Sequence, residues 1–486
     1  MATQFDLVVR GGTVIDGTNR PRFRADVGVC GGRIAAVGDL GDAEAAEVVA
    51  ADGLIVAPGF IDSHTHDDHA LFAAPEMLPK ISQGVTTVVT GNCGISSAPV
   101  PAWRPLPPPF NLLDLPEGAG FASFGGYARA LAEAPASVNV AGLVGHTSLR
   151  LVAMGDDLER PATAREIAQM RALLQDCLAE GAIGLSSGLM YPPAIAAPTA
   201  EVIEVGRPLA ACGGLYVTHM RNEEDDVLAS LDETFEIGRE LGVPVVISHH
   251  KVMYPRNFGR TAETLPAIRA AMGRQSVGLD CYPYHASATM LRSNPDFDDC
   301  RIIVAESEPH PECDGRELAE IAAEWGVKPH QAARRLQPGT AVYFSMDEDD
   351  VRRILAFPET MVGSDGICVG KRPHPRLWGT FPRVLGLYSR EIGLFPLETA
   401  VWKMTGLTAR TFGLADRGTL QPGAAADITV FDAETVRDAA DFDHPKEAAR
   451  GISAVVVNGR VTLRDGRHTG MRAGVPLLRA GAQAEA

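Results

Sequence analysis

The sequence predicts an α/β protein: a (β/α)8 barrel with a small β-sandwich domain built from both chain ends and a subdomain inserted after the seventh barrel strand. Three observations carry this. Between residues 58 and 414, apolar β-like runs alternate with amphipathic helical stretches; both ends consist of short β segments broken by Gly and Asn; and residues 283–359 interrupt the alternation before its last run. At 486 residues the chain has room for about three domain-sized units and a large core.

The N-terminal part of the sandwich is expected over 1–57, from FDLVVRGGTVID, ADVGVCGGRIAAVG and EVVAADGLIVAPG. ADITVFD at 426–432 and ISAVVVNGRVTLRDG at 452–466 supply its C-terminal part over 415–480, and 481–486 reads as a frayed tail. Alternating apolar residues with turn residues at the corners predict antiparallel strands.

The barrel is expected over 58–414. Its eight runs are GFIDSH (59–64), GVTTVVTGN (84–92), VNVAGLVGH (138–146), AIGLSSG (182–188), LYVTH (215–219), PVVISHH (244–250), SVGLDCY (276–282) and TMVGSD (360–365). Residues 161–180 and 225–241 place apolar residues three and four apart and predict helices. Eight strand–helix repeats match a closed barrel, with an open doubly wound sheet as the alternative on pattern alone. Residues 99–120 are too rich in proline for strand or helix and predict a long loop. The stretch between the seventh and eighth runs exceeds an ordinary connection, which predicts an inserted subdomain over 286–348.

Composition removes several function classes. With 45% hydrophobic and 22% charged residues the chain reads as globular rather than disordered. The 44 Lys+Arg against 61 Asp+Glu leave −17, the wrong sign for phosphate backbones or anionic lipid, so neither nucleic acid nor a membrane is expected as partner. No run of 18 uncharged apolar residues occurs, and the first residues lack the pattern of a signal peptide. Eight cysteines without CxxC spacing read as reduced thiols, so the expected location is cytoplasmic. The Gly- and Ala-rich loops indicate no dimer surface, leaving the oligomeric state open.

Chemistry-bearing residues gather where the runs end. His64 and His66 close the first, Cys93 follows the second, His219 closes the fifth, His249 and His250 the sixth, and Asp365 the eighth. In a barrel these ends open onto one mouth, so residues far apart in sequence converge. His64 and His66 are two apart and share one strand face. By the same parity, His249 and Lys251 look into the mouth together if the sixth strand stays extended, and His250 points away into a structural role. Taken singly, each histidine or cysteine has an ordinary packing explanation. Together they occupy positions that packing alone fills with apolar residues, and they describe a metal site.

These motifs resemble the amidohydrolase superfamily and, within it, the D-aminoacylases (N-acyl-D-amino-acid deacylases). The resemblance runs through GGTVIDG, PGFIDSHTHDD at 58–68, GVTTVVTGNCG at 84–94, THMRNE at 218–223, PVVISHHKVM at 244–253, LDCYPY at 279–284, GSDG at 363–366 and LQPGAAADITVFD at 420–432. Hydantoinases, dihydropyrimidinases and ureases bridge two metals with a carbamylated lysine on the fourth strand; this chain has no lysine between Lys80 and Lys251. The resemblance puts Cys93 in that place.

It further implies that Cys93, His219 and His249 hold a tight zinc, that His64 and His66 with a shared Cys93 form a second, weaker position, and that Asp365 is the catalytic proton carrier. Lys251 and Arg376 are implied as binders of the substrate α-carboxylate, with Tyr191 and Tyr282 as their hydroxyl partners. The remaining histidines are expected on loops and helices, with His69 and His146 near strand ends.

The segment HASATMLRSNPDFDDC at 285–300 should help form the side-chain pocket. It contains Arg292, a cation for an acidic side chain, but also Asp296, Asp298 and Asp299, with Met290, Leu291 and Phe297 for apolar contact. The carboxylates favour neutral or hydrophobic D-residues. The expected activity is therefore zinc-dependent hydrolysis of N-acyl-D-amino acids, a small-molecule substrate. The alternatives are an N-acyl-D-glutamate or D-aspartate deacylase and an amidohydrolase for dipeptides or cyclic amides. A barrel kept only as a scaffold would not need all six of His64, His66, Cys93, His219, His249 and Asp365.

Overall fold

The computed structural model describes residues 4–100, 106–116, 118–294 and 300–479. Its centre is an eight-stranded sheet of parallel neighbours, and all eight expected runs contribute: Phe60–Asp62, Val85–Thr90, Asn139–Gly145, Gly184–Gly188, Leu215–His219, Val245–Ile247, Val277–Cys281 and Thr360–Val362. Successive side chains alternate between two cores, as a period of two dictates. Ile61, Val89, Leu143, Val217, Val246 and Met361 cluster with Leu407 and Phe412 of the helix Gly406–Phe412. Their neighbours Phe60, Val88, Val144, Tyr216, Val245 and Val362 pack into the larger cluster shared with the surrounding helices.

The first and last strands are only three residues long, so their seam is closed by other means. Asp365 N donates to His64 O at 2.8 Å and His66 N to Gly366 O at 3.3 Å. Buried Asp62 accepts the Ser364 amide at 2.7 Å and Lys80 Nζ at 2.9 Å, and Lys80 also reaches Ser364 Oγ at 2.9 Å and Asp67 at 3.2 Å. A lysine with no exposed surface thus ties the two strand ends that carry His64 and Asp365.

Both expected helices form. Ala164–Ala179 starts at a capping box, in which Thr163 Oγ1 accepts from Glu166 N and the Glu166 carboxylate accepts from Thr163 N. Its buried residues Met170, Leu174, Cys177 and Leu178 form one stripe, each full burial of a large apolar side chain contributing about 1.5–3 kcal/mol. Val227–Leu241 packs beside it through the short helix Thr199–Gly206.

The two chain ends meet in one nine-stranded sheet, joined where Ile55–Pro58 pairs antiparallel with Ile428–Phe431. One departure from the sequence reading is that Phe5–Val14 pairs parallel with Ala45–Ala50 and Ile55–Pro58. The hairpin Phe23–Cys30/Arg33–Gly38 occupies one edge of Phe5–Val14, and the returning chain crosses to the other edge, where it runs in the same direction. Leu7, Val9, Val27, Val56, Ile428 and Val456 belong to a separate core on this sheet.

After the seventh strand the chain builds a three-stranded antiparallel sheet, with Gly339–Tyr343 between Ser287–Met290 and Ile302–Ser307. The helices Leu318–Glu324 and Pro329–Leu336 cover it, and Ile302, Val304, Ile321, Leu336 and Tyr343 form a core with Met253 and Tyr254 of the barrel rim. Within the proline-rich stretch, the described residues contain a 3-10 turn, Phe110–Leu113, whose Phe110 and Leu112 pack with Cys93, Tyr191 and Ile367 over the mouth. The expected tail at 481–486 lies outside the described residues. No described helix is long and apolar enough to cross a membrane.

Candidate metal and catalytic centre

Cys93 Sγ is the point on which the imidazoles converge: His64 Nε2 lies at 3.3 Å, His249 Nε2 at 3.4 Å and His219 Nδ1 at 3.6 Å. All four residues are buried. Burial alone would raise the Cys93 thiol, but charge on His64 and His249 and hydrogen bonds from His219 and His249 pull it well below its ordinary value. Asp365 Oδ1 approaches the same His64 nitrogen that faces Cys93, lying 3.6 Å from His64 Nε2 and 3.3 Å from His66 Nε2.

Three of these residues hold left-handed backbone: Cys93 at φ 54, His249 at φ 36 and Asp365 at φ 48. Non-glycine residues in this region cost about 1–3 kcal/mol each and persist where surrounding contacts over-determine them. Here the sixth strand corrects the parity argument, because it ends at Ile247 and is not extended through His249 and Lys251. His249 enters the mouth through its turned backbone, held by the bond from its N to Asp280 Oδ1 at 2.8 Å. His250 does point away, with Nε2 2.8 Å from Thr264 Oγ1. Gly94, at φ 77 beside Cys93, must lack a side chain: a Cβ there would lie 2.7 Å from Gly188 N.

Two carboxylates at the centre were not singled out from the sequence. Glu223 Oε1 lies 3.1 Å from His249 Nδ1 and Oε2 lies 3.5 Å from His219 Nε2, so one side chain braces two imidazoles. Burial would raise the Glu223 carboxyl, but Lys251 and the two histidines hold it below its usual range. Asp280 holds the His249 amide and approaches His64 Nδ1 to 3.8 Å. Both stood inside quoted motifs, THMRNE and LDCYPY; the spacing of Glu223 four residues after His219 was the available signal.

Of the expected substrate-binding residues, Lys251, Tyr191, Tyr282 and Arg292 line the cavity at His249 and Asp365, while Arg376 is fully buried against Asp365. Lys251 Nζ donates to Glu223 Oε1 at 2.8 Å and lies 2.8 Å from His249 Nδ1. Arg376 Nη2 pairs with Asp365 Oδ2 at 2.9 Å and donates to Ala288 O at 3.0 Å, while its buried Nε and Nη1 have no hydrogen-bond partner among the described residues. Burial would raise Asp365; the Arg376 guanidinium and the His66 hydrogen bond hold it well below the usual carboxylate range. Tyr282 presents its ring to Arg376, 4.4 Å from the guanidinium carbon, and turns its hydroxyl to Met346 Sδ at 3.5 Å. Tyr191 meets His219 ring to ring at a tilt of 56°, centroids 5.0 Å apart, and its hydroxyl lies 3.1 Å from Thr289 Oγ1.

The turn that follows Tyr191 is anchored by a buried ionic group. Wholly buried Arg150 pairs with Glu201 and donates to Pro193 O at 2.9 Å, and His146 Nε2 lies 3.4 Å from the same Glu201. His69 is half-buried at the start of a short helix.

Arg292 lines the cavity but pairs with Glu224 at 3.5 Å. Met290 lines the pocket beside the centre as expected, Leu291 is instead buried in the core of the inserted three-stranded sheet, and Asp296, Phe297, Asp298 and Asp299 lie outside the described residues.

The donor set suits a metal. Three groups, His64–Cys93–His249, His64–His66–Asp365 and His219–Glu223–His249, each place their ligand atoms within 4.8 Å of one another. A thiolate among imidazoles is a donor set for zinc, and the fourth strand, Gly184–Gly188, carries no lysine; its Ser187 bonds Tyr216 and Thr218.

A barrel whose strand ends carry this HxH pair, Cys93, two further histidines and an aspartate is an amidohydrolase: the profile of the Amidohydrolase family matches residues 47–274 and 284–463, and the chain belongs to that family. It is 58% identical over 478 residues to D-aminoacylase of Alcaligenes xylosoxydans, covering 98% of each chain. A crystal structure of D-aminoacylase superposes with a TM-score of 0.96 at 58% identity, covering 98% of this chain and 100% of that one. N-acyl-D-glutamate deacylase from Bordetella bronchiseptica, solved with zinc and a phosphonate mimic of the tetrahedral intermediate, superposes at 0.93 with 48% identity, covering 98% and 100%.

Proposed function

We propose that this chain hydrolyses N-acyl-D-amino acids to a carboxylate and a free D-amino acid, with zinc held at Cys93, His219 and His249 and a second, weaker position at His64 and His66. The observation that carries this reading is the convergence of three imidazoles on the buried Cys93 thiol within reach of Asp365. Bound zinc supplies polarisation of a carbonyl oxygen and acidification of water.

The chain's own residues do the rest. Asp365 Oδ1 accepts a proton from the attacking water and returns it to the amide nitrogen as the C–N bond breaks, since an amine anion is too poor a leaving group to depart unprotonated. Arg376 supports Asp365 through Nη2 and offers Nε and Nη1 to the substrate α-carboxylate, with Lys251 as the second cation. The Phe110–Leu113 turn and Tyr191 exclude water from the mouth. The D-hand of the substrate rests on likeness to the relatives.

The side chain accepted is neutral or hydrophobic. The pocket adjoining the centre has Met190, Ile195, Met253 and Met290 on its apolar side, facing Arg221, Asn222, Glu223 and Glu224. Arg292 in the same wall supports the second reading, an acidic D-residue. Eight cysteines, none disulfide-bonded, fit a reducing compartment such as the cytoplasm.

The test is product release from paired D- and L-N-acetyl amino acids by zinc-loaded protein. Cleavage confined to D-substrates and lowered about 10²–10⁴-fold in D365N is expected. Cleavage of L-substrates, or none with zinc bound, overturns the reading.

A further inference from the structure

Arg376 stands at the first position of the helix Arg376–Arg383, where a backbone amide has no partner within the helix. The partner here is a side chain two residues earlier: His374 Nδ1 accepts from Arg376 N at 3.0 Å. At its other nitrogen, Nε2, His374 donates to Ala286 O at 2.9 Å. An amide nitrogen only donates and a carbonyl only accepts, so these two contacts admit one state of the ring, neutral with its proton on Nε2. Burial and the charge of Arg376 act in the same sense and hold His374 well below its ordinary value.

The connection is anchored at both ends. Ala286 leads into Ser287–Met290, an outer strand of the inserted three-stranded sheet. Residues two apart in an extended strand present their carbonyls on the same side, and Ala288 O accepts from Arg376 Nη2 at 3.0 Å. One strand edge therefore holds a single arginine twice, at its guanidinium directly and at its amide through His374. The His374 ring cannot swing away, since Tyr284 and Phe442 meet it edge-on with centroids 5.1 Å off on each contact and the residue is buried. Arg376 so fixed keeps Nη2 on Asp365 Oδ2 and leaves Nε and Nη1 uncommitted.

We propose that His374 is a positioning residue of the reaction: by bridging the Arg376 amide and the inserted strand, it sets where the guanidinium meets the substrate α-carboxylate. This rests on the deacylase reading above. His374 touches neither the metal ligands nor the reacting amide; it acts through Arg376, so its effect belongs to carboxylate binding and disappears when Arg376 is removed.

The experiment measures KM, kcat and bound zinc with N-acetyl-D-methionine as substrate for wild type, H374F, H374N, R376M and H374F/R376M. H374F keeps a ring and removes both hydrogen bonds; H374N returns an acceptor to the Arg376 amide. The expected result is a KM raised about tenfold in H374F at wild-type zinc content, restored to within about threefold of wild type in H374N, and a KM in H374F/R376M within about twofold of R376M alone. An unchanged KM in H374F overturns the proposal, while wild-type cleavage sustains the deacylase reading. An equal rise in the R376M background, H374N no better than H374F, or zinc lost from H374F also overturns it, because His374 would then act independently of Arg376 or prop up the whole centre. Should H374F not fold, H374Q, which reaches Ala286 O but places no acceptor at the Arg376 amide, replaces it with the same expected KM. Wild type without activity overturns the deacylase reading and this proposal with it.

Discussion

Glu223 Oε1 stands 3.1 Å from His249 Nδ1, while His249 Nε2 faces Cys93 Sγ at 3.4 Å. The carboxylate thereby orients the ring whose other nitrogen addresses the centre, and its second oxygen does the same for His219. Such partners fix tautomer and raise ligand basicity. E223Q keeps the shape and loses the charge, so zinc affinity is expected to fall about 10–100-fold, read from competition with a chromophoric chelator. Unchanged affinity would mean that Glu223 serves only to neutralise Lys251.

Cys93 contributes the one thiolate that all three imidazoles approach. C93A is expected to purify with less than half the zinc of wild type under equal conditions and to lose activity. Chelation of wild type should lower its melting temperature and addition of zinc restore it, because a metal bound by the native state alone stabilises that state. A melting temperature indifferent to chelator would count against a site assembled in the folded chain.

Arg376 has two buried donors without hydrogen-bond partners among the described residues. R376M is expected to raise KM for N-acetyl-D-methionine at least about tenfold, a charge-assisted contact being worth about 1.5–3 kcal/mol. A fall in kcat at constant KM would instead assign Arg376 wholly to Asp365.

Lys80 is the only described cation bonded to Asp62, and it also pairs with Asp67 in a region without exposed surface. Removing one partner of a buried pair leaves an uncompensated charge, so K80M should cost about 3–5 kcal/mol in urea unfolding. A loss under about 1 kcal/mol would show that water reaches the barrel seam.

Glu201 carries a pH signature. Burial would raise its carboxyl, but the hydrogen bond from His146, the Ala162 amide and the Arg150 guanidinium bring it down from 4.5 to about 2. A depressed carboxylate stabilises the fold above its unfolded value and ceases to do so as pH falls through the folded one. Wild type should therefore lose its stability advantage over E201Q between about pH 4.5 and pH 2, followed by melting temperature. Parallel curves across that window would remove Glu201 from the acid response.

Much of this was legible in one dimension because strand periodicity and strand-end chemistry are local signals. The eight apolar runs each became a strand, and His64, His66, Cys93, His219, His249 and Asp365 lie at one mouth because parallel strands of a barrel end on the same face. Glu223 escaped notice since a carboxylate in a polar loop looks like solvent-exposed charge until its partners are known. Parity put His249 and Lys251 in the mouth and His250 outside it, where they lie, but by a different route: the strand ends at Ile247 and His249 is turned rather than extended.

What the sequence alone showed is therefore the eight-fold alternation, the gathering of histidines, Cys93 and Asp365 at the ends of its runs and the lack of a lysine between Lys80 and Lys251, all properties of residue type and spacing. Only the tertiary structure decided which carboxylate serves which cation: Glu223 with Lys251, Glu224 with Arg292, Asp365 with Arg376. Coulomb attraction acts through space and falls with distance, so the pairing of charges is set by where loops from different strands meet rather than by their order along the chain.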